Sequence, residues 1–347
     1  MEVAGIDIGF GFTKATDGKE FVLFKSILGE VTDIQFSLPI VKSEAGPCLH
    51  VLLDGRSYFV GDFAEQHSST RHFTLDQEKL ISDFCKVLAL TAMGYLYNDA
   101  APVNIITGLP VGYYREYHKR FAKLLKGNHE ISYRKHDGTS EIIRININNL
   151  RIIPQPLGSI FNLLMDENGK IANRELAKQK IGVIDIGFRT TDFCVFHGLQ
   201  YVERGSSTTD TGISKTFGVI AKKLREESRV NVELYRLYNA IETGFIKIRG
   251  KEFNISKIRD AVFANAAGII ASDLDRLWAD DWDIDVIIIS GGGAMELTKF
   301  LQPLIGGNIL PVENNIDVRL NNVQGYYKYA RYLWGAIEPP AKPSQAD

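Results

Sequence analysis

The sequence predicts an α/β protein whose plan is built twice, as two domains facing each other across a cleft. Three observations carry this expectation. The string IDIGF begins at Ile6 and again at Ile184, close to half the chain apart. Apolar, β-rich runs alternate with helix-periodic stretches in both halves, which implies a largely parallel sheet in each. The run Val286 to Ser290 passes straight into Gly291, Gly292 and Gly293 and then a helix start at Ala294-Met295-Glu296.

Val3 to Lys14 reads VAGIDIGFGFTK and Gly182 to Phe193 reads GVIDIGFRTTDF. Each is an apolar strand entering an Asp-x-Gly turn and leaving along a second β-rich run, expected at Phe21 to Phe24 in the first half and Phe193 to Phe196 in the second. Leu28 to Asp62 holds short strand-like pieces among turn residues, the pattern of a small inserted subdomain. Lys79 to Tyr97 and Tyr113 to Lys126 have helical spacing, with a buried-strand run at Val103 to Gly108 between them. The second half repeats the order. A helix is expected at about Ser214 to Glu227, an insertion at about Val230 to Ser256, and a helix at about Lys257 to Trp278. The tail EPPAKPSQAD, from Glu338, reads as disordered.

Composition removes several function classes. The 347 residues are 45% hydrophobic and 24% charged, the balance of a globular chain with room for two domains. A formal net charge of −2 gives no basic field for strong, direct nucleic-acid binding, so any link to DNA requires an adaptor. No run approaches the roughly 18 to 20 apolar residues of a membrane span, and no secretion signal is visible, so a cytoplasmic location is expected. Cys48, Cys85 and Cys194 have no paired spacing, and the seven histidines lack metal-ligand spacing. His118, Lys119, Arg120 and Lys123 read as the solvated face of a helix, and Tyr326, Tyr327 and Tyr329 as helix packing.

The hairpin tips can hold an anion, because glycines let backbone N–H groups approach a phosphate closely. Gly9 and Gly11 meet that need, with Phe10 and Phe12 between and after them. Lys14 adds a point charge, Thr13 a hydroxyl, and Asp7 a carboxylate able to hold water on a magnesium ion. The second hairpin carries Asp185, Gly187, Phe188, Arg189, Thr190, Thr191 and Asp192. If the halves face each other, Asp7 and Asp185 lie on opposite walls of one cleft, as a phosphate-bridged magnesium requires. The glycine triplet before Met295 lets a flat base and sugar lie on bare backbone.

Two Asp-x-Gly hairpins followed by a glycine triplet resemble the actin, heat-shock chaperone and sugar-kinase superfamily, over nearly the whole chain. TGLPVGYY from Thr107, IIPQPLGSIFNLL from Ile152 and IDIGFRTTDF from Ile184 resemble actin-like proteins of the bacterial and archaeal ParM (StbA) plasmid-partition type. The resemblance implies duplicated ribonuclease-H-like domains with an ATP cleft between them. It places a first domain at 1–157 with an insertion at about 28–75, and a second at 158–322 with an insertion at about 213–283. A helix at 323–337 returns to the first domain, and 338–347 is the tail.

By position, the resemblance assigns Gly5 to Lys14 as the first phosphate loop, with Asp7 on the magnesium water shell. Asp185 and Gly187 form the second loop, and Gly291 to Gly293 the adenosine loop. Gln155 would orient the attacking water, making Gln155, Asp185 and Asp7 the catalytic candidates. STTDTGISK, Ser207 to Lys215, would line the purine side through Asp210, Gly212 and Lys215. Phe188 and Arg189 depart from the small residues of many relatives, and Arg189 either reaches a phosphate or points to solvent. The implied function is an ATPase that polymerises head to tail to segregate plasmid or other DNA through an adaptor. A sugar or small-molecule kinase of the same superfamily, or a filament positioning another cargo, is the alternative. The expected chaperone domain and kinase catalytic aspartate are not evident in the sequence.

Overall fold

Both copies of the repeated string fold into the same hairpin. In the computed structural model, which describes residues 2–31, 49–97, 101–134, 139–310 and 317–335, β1 (Glu2–Ile8) turns at Gly9 and returns as β2 (Phe12–Thr16), followed by β3 (Phe21–Lys25). The returning strand is thus Phe12–Thr16, and the expected Phe21 run is the next strand of the meander. The Gly9 N–H bonds the Phe12 carbonyl at 3.0 Å, so pairing resumes at once after the tip.

The inserted region supplies β4 (Leu28–Glu30), β5 (His50–Leu53), β6 (Arg56–Val60), α1 (Gly61–His67) and β7 (Arg71–His72). The helical stretch expected over Lys79–Tyr97 is two helices, α2 (Gln77–Leu80) and α3 (Asp83–Leu96), because Ser82 accepts the Phe84 N–H and caps a new start. Then come β8 (Pro102–Leu109), α4 (Val111–Leu125), β9 (Gly127–Arg134), β10 (Ser140–Pro154) and α5 (Leu157–Leu164). The second half runs β11 (Lys180–Ile186), β12 (Thr191–His197), β13 (Gln200–Thr209), α6 (Ser214–Ser228), α7 (Tyr238–Thr243), β14 (Phe245–Ile248), β15 (Lys251–Asn254) and α8 (Ser256–Leu277). It closes with β16 (Val286–Ser290), α9 (Ala294–Leu301), β17 (Ile309–Leu310) and α10 (Asn321–Trp334). The expected tail, Cys48 and residues 32–48 of the first insertion lie outside the described residues.

The sheets show the duplication directly. Strand order β3-β2-β1-β8-β10 in one sheet repeats as β13-β12-β11-β16-β17 in the other. Both sheets are mixed rather than largely parallel. β1 pairs antiparallel with β2 and parallel with β8, as β11 does with β12 and β16, because each hairpin precedes a helical crossover. The first sheet continues through β9, β5, β6, β4 and β7, so the inserted strands extend it.

Helices α5 and α10 lie between the two sheets and exchange halves. α10 packs on β1 and β8, while Phe161 of α5 reaches Phe196 of β12 with ring centroids 6.5 Å apart. Gly158 and Gly325 meet where the helices cross, and a Cβ on Gly325 would overlap the Gly158 carbonyl. One buried cluster fills this middle layer, and a second spans the outer faces under α3, α4, α6 and α8.

Candidate functional site

Strand alternation decides which way the repeated aspartates point. On β1, Ala4, Ile6 and Ile8 join the outer core while Val3 joins the middle layer; on β11, Ile184 and Ile186 face outward and Ile181 and Val183 inward. Asp7 and Asp185 occupy the inward register, so both carboxylates emerge at the strand ends toward the same space. They are 3% and 5% exposed, and the Asp7 charge helps to raise Asp185. The space is an open cavity whose wall includes both tips, Lys14, Gln155, Gly291, Gly292 and Met295.

Each aspartate is held differently. Lys14 Nζ bonds Asp7 Oδ2 at 2.7 Å and Gln155 Nε2 bonds Asp7 Oδ1 at 2.9 Å, so the first carboxylate has a cation and an amide. Asp185 has Asn322 Nδ2 on Oδ2 at 2.7 Å. Burial pushes its carboxyl up to about 6, with the Asn322 bond opposing that shift and Asp7 adding to it. Ser159 Oγ donates to Asn322 Oδ1 at 2.6 Å, and thereby ties Asp185 to both crossing helices.

The hairpin register adds a residue that the motif reading did not assign. Asp7 pairs with Lys14 across the first hairpin and Asp185 with Asp192 across the second. Asp192 therefore stands where Lys14 stands, and the repeat alignment was the signal that could have found it. Its carboxylate accepts the Val111 N–H at 2.8 Å, at the start of α4, and the Thr208 hydroxyl. Burial pushes it up to about 7, against its hydrogen bonds and with help from Asp185.

The tips bridge the halves through aromatic rings. Phe12 packs on Tyr238 with centroids 4.7 Å apart, and Phe188 on Phe217 and Tyr238 at 5.4 and 5.6 Å. A Cβ on Gly11 would strike the Tyr238 hydroxyl, which is buried without a hydrogen-bond partner among the described residues. Arg189 lies on the cavity wall and is held there by the protein. Its guanidinium bonds Asp210 Oδ1 at 2.9 Å and the Tyr113 hydroxyl at 3.0 Å, over the Phe10 ring at 5.8 Å.

Thr13, Asp210, Gly212, Lys215 and Gly293 lie off the cavity wall. Thr13 alternates with Lys14, so its hydroxyl turns to Ser26 Oγ at 3.0 Å. Gly9 and Gly187 line the wall, but their N–H groups close the turns on Phe12 and Thr190. Asp210 is engaged by Arg189, and Gly212 is pressed against the Arg189 backbone. Lys215 is exposed on α6, whose Ser214, Thr216 and Phe217 take the inward positions. Gly293 packs against Ile186 and Ile213. The cavity wall also includes Ile241, Glu242, Glu296 and Arg319, residues to which the motif reading assigned no role. Thr190 and Gly291 line the cavity, and Gly291 holds φ +87° where a Cβ would overlap Asp185 Oδ1.

A family model of actin-like protein N-terminal domains matches residues 5–158, and a model of archaeal actin homologue MreB-like C-terminal domains matches residues 183–303. The chain belongs to the actin-like proteins. Solved actin-like structures agree over almost all of it. A ParM of pCBH, a non-polymerisable quadruple mutant, is 25% identical, covers 94% of this chain and 98% of its own, and has a TM-score of 0.77. A 15-stranded ParM filament from Clostridium botulinum is 24% identical over 95% and 99% of the two chains, TM-score 0.79. An archaeal actin homolog in complex with ADP is 19% identical over 95% and 99%, TM-score 0.77. No curated protein sequence matches the chain. Among the described residues of this actin-like protein, no helix is long and apolar enough to cross a membrane.

Proposed function

We propose that this actin-like protein binds ATP with magnesium in the cavity between its two sheets, hydrolyses it, and assembles head to tail into cytoplasmic filaments that move DNA through an adaptor. The observation that carries the reading is the facing pair of hairpins, which put Asp7 and Lys14 on one wall, with Gln155 beside Asp7, and Asp185 on the other. The ADP complex of the archaeal homolog and the ParM filament, both of the same fold, support it.

The residues fit a hard cation that keeps most of its water. Two buried carboxylates and an amide are oxygen donors of the right kind, while no group of three or more His, Cys, Asp or Glu side chains among the described residues could hold a metal outright. Magnesium bound through Asp7 and Asp185 would neutralise phosphate charge. Lys14 adds a second positive charge beside Asp7, and its position in the middle of β2 fixes its reach. Gln155 sits just before α5, with its N–H bonded to the Leu109 carbonyl at 2.8 Å and its own carbonyl accepting the Tyr326 hydroxyl at 3.2 Å. Those bonds fix its backbone and Asp7 holds its Nε2, so its side-chain oxygen would orient a water for in-line attack on the terminal phosphorus.

A nucleotide touching both walls favours the closed arrangement, and closed subunits that meet through a heterologous, non-closing contact propagate as a filament. Purified protein with magnesium-ATP is expected to scatter light above a critical concentration lower than with ADP, then lose scattering as ATP is consumed. Gln155→Ala is expected to assemble with slowed phosphate release, so its filaments persist longer. A protein that stays monomeric in every nucleotide state, and consumes ATP only when a sugar or small acceptor is added, would replace this reading with a kinase.

A further inference from the structure

The loop between α8 and β16 reads WADDWDID, Trp278 to Asp285, with four aspartates and no base. Trp282 is 87% exposed, the most exposed of the large apolar side chains described. It is nevertheless held rigidly. On one side, Asp281 is buried and paired with Lys180 at 2.8 Å and Arg204 at 2.7 Å. On the other, Asp283 is paired with Lys180. Trp278, at the start of the loop, is buried with its Nε1–H on the Gly205 carbonyl at 2.9 Å. A large ring presented to water on a backbone clamped at both neighbours is a preorganised anchor, because little freedom remains to be lost on docking.

The β14–β15 hairpin has the opposite character. Its sequence FIKIRGKEFN exposes Lys247, Arg249 and Lys251 against one acid, Glu252, and Phe245 at its base is 42% exposed. Arg249 and Gly250, at φ 50° and 81°, make the tight turn that projects these cations.

Helix α8 joins the two patches directly: it begins at Ser256, just past the hairpin, and ends at Leu277, just before the loop. Its 22 residues span about 33 Å, so the two patches of one molecule cannot meet. From this separation and their complementary charge we infer that the Trp282 loop of one subunit docks on the β14–β15 hairpin of a second copy, and that this contact forms the head-to-tail junction. The inference rests on the filament reading above. The ring lies against lysine and arginine side chains, an attraction strongest for tryptophan, while the exposed Asp280 and Asp285 face the hairpin cations. Because the surfaces differ and sit at opposite ends of one helix, each docking leaves a fresh loop and a fresh hairpin exposed, and the contact does not close on itself.

The test uses the full chain with magnesium-ATP. Trp282→Ala and the double variant Lys247→Glu/Lys251→Glu are each expected to raise the critical concentration about tenfold or more, with ATP affinity unchanged because both patches lie away from the cavity wall. Carbodiimide coupling in wild-type filaments is expected to join Asp280 or Asp285 to Lys247 or Lys251, a product absent below the critical concentration, since within one molecule the distance forbids it. If wild type assembles and both variants assemble at its critical concentration, or cross-links join only other segments, the docking surface is wrong while the filament reading stands. If wild type itself never assembles, both fall together.

Discussion

At the scale of single residues, the site contrasts one carboxylate that has a cation beside it with two that do not. Asp185 and Asp192 are both raised by burial, to about 6 and about 7, from an ordinary value of 3.8. A folded-state pKa above the unfolded value means the native chain holds a proton that the unfolded chain has released. The stability this contributes is complete below about pH 4 and is lost as the pH rises through about 7. Asp192→Asn keeps acceptors for Val111 N–H and Thr208 without the charge. Its thermal midpoint is therefore expected to fall less than wild type's between pH 5 and pH 8, by on the order of a few degrees. Equal slopes in a pH series of melting curves would remove Asp192 as a source of the dependence. Much of the wall was legible in the sequence. Asp7, Lys14, Gln155, Asp185 and Gly291 lie within short motifs whose local geometry is set by the turns that carry them. Asn322, Tyr238 and Arg319 were not legible, since each is brought in from a distant helix or loop by packing alone.

At the scale of elements, the α5–α10 crossing holds the site together. Asn322 on α10 and Ser159 on α5 form a hydrogen-bonded chain to Asp185, and Tyr326 donates to the Gln155 carbonyl. The helices approach this closely because Gly158 and Gly325 present bare backbone to each other; a Cβ on Gly325 would also come within 2.9 Å of the Asn162 nitrogen. Gly325→Ala is expected to cost about 1–3 kcal/mol in chemical denaturation, as overpacking does. A Gly325→Ala protein as stable as wild type would show that the crossing can widen without penalty. The family resemblance placed a helix at 323–337, and α10 lies there. Its partner depends on the exchange of α5 and α10 between halves, which no local pattern encodes.

At the scale of the whole molecule, the cavity belongs to neither half. Val111 and Gly112 at the start of α4 bond Asp192 and Thr208, and Arg115 pairs with Glu203, so the first half grips the second along one side of the cavity. A ligand that touches both walls stabilises the pair by mass action, about 2.7 kcal/mol at one hundred times its dissociation constant. Magnesium-ATP is expected to raise the melting temperature of wild type, and Asp7→Ala and Asp185→Ala are each expected to lose most of that rise. An undiminished shift in both variants would move nucleotide binding away from the two hairpins.

The amino-acid sequence by itself determined the repeated hairpin, the order of most strands and helices, and the family, because all three rest on patterns within a few residues: period-2 alternation, Asp-x-Gly turns and a glycine triplet. It also paired Asp7 with Asp185 as equivalent positions of the repeat, which the structure turns toward one cavity. The tertiary structure decided what lay beyond that range. It joined the inserted strands to the first sheet through β9 and β5, turned Thr13 and Lys215 away from the cavity, and engaged Arg189 with Asp210 and Tyr113. It also set an acidic tryptophan loop and a basic hairpin at opposite ends of α8. The physical reason is the same in each case: these outcomes depend on which distant surfaces bury each other, and that burial is a property of the assembled layers rather than of any one segment.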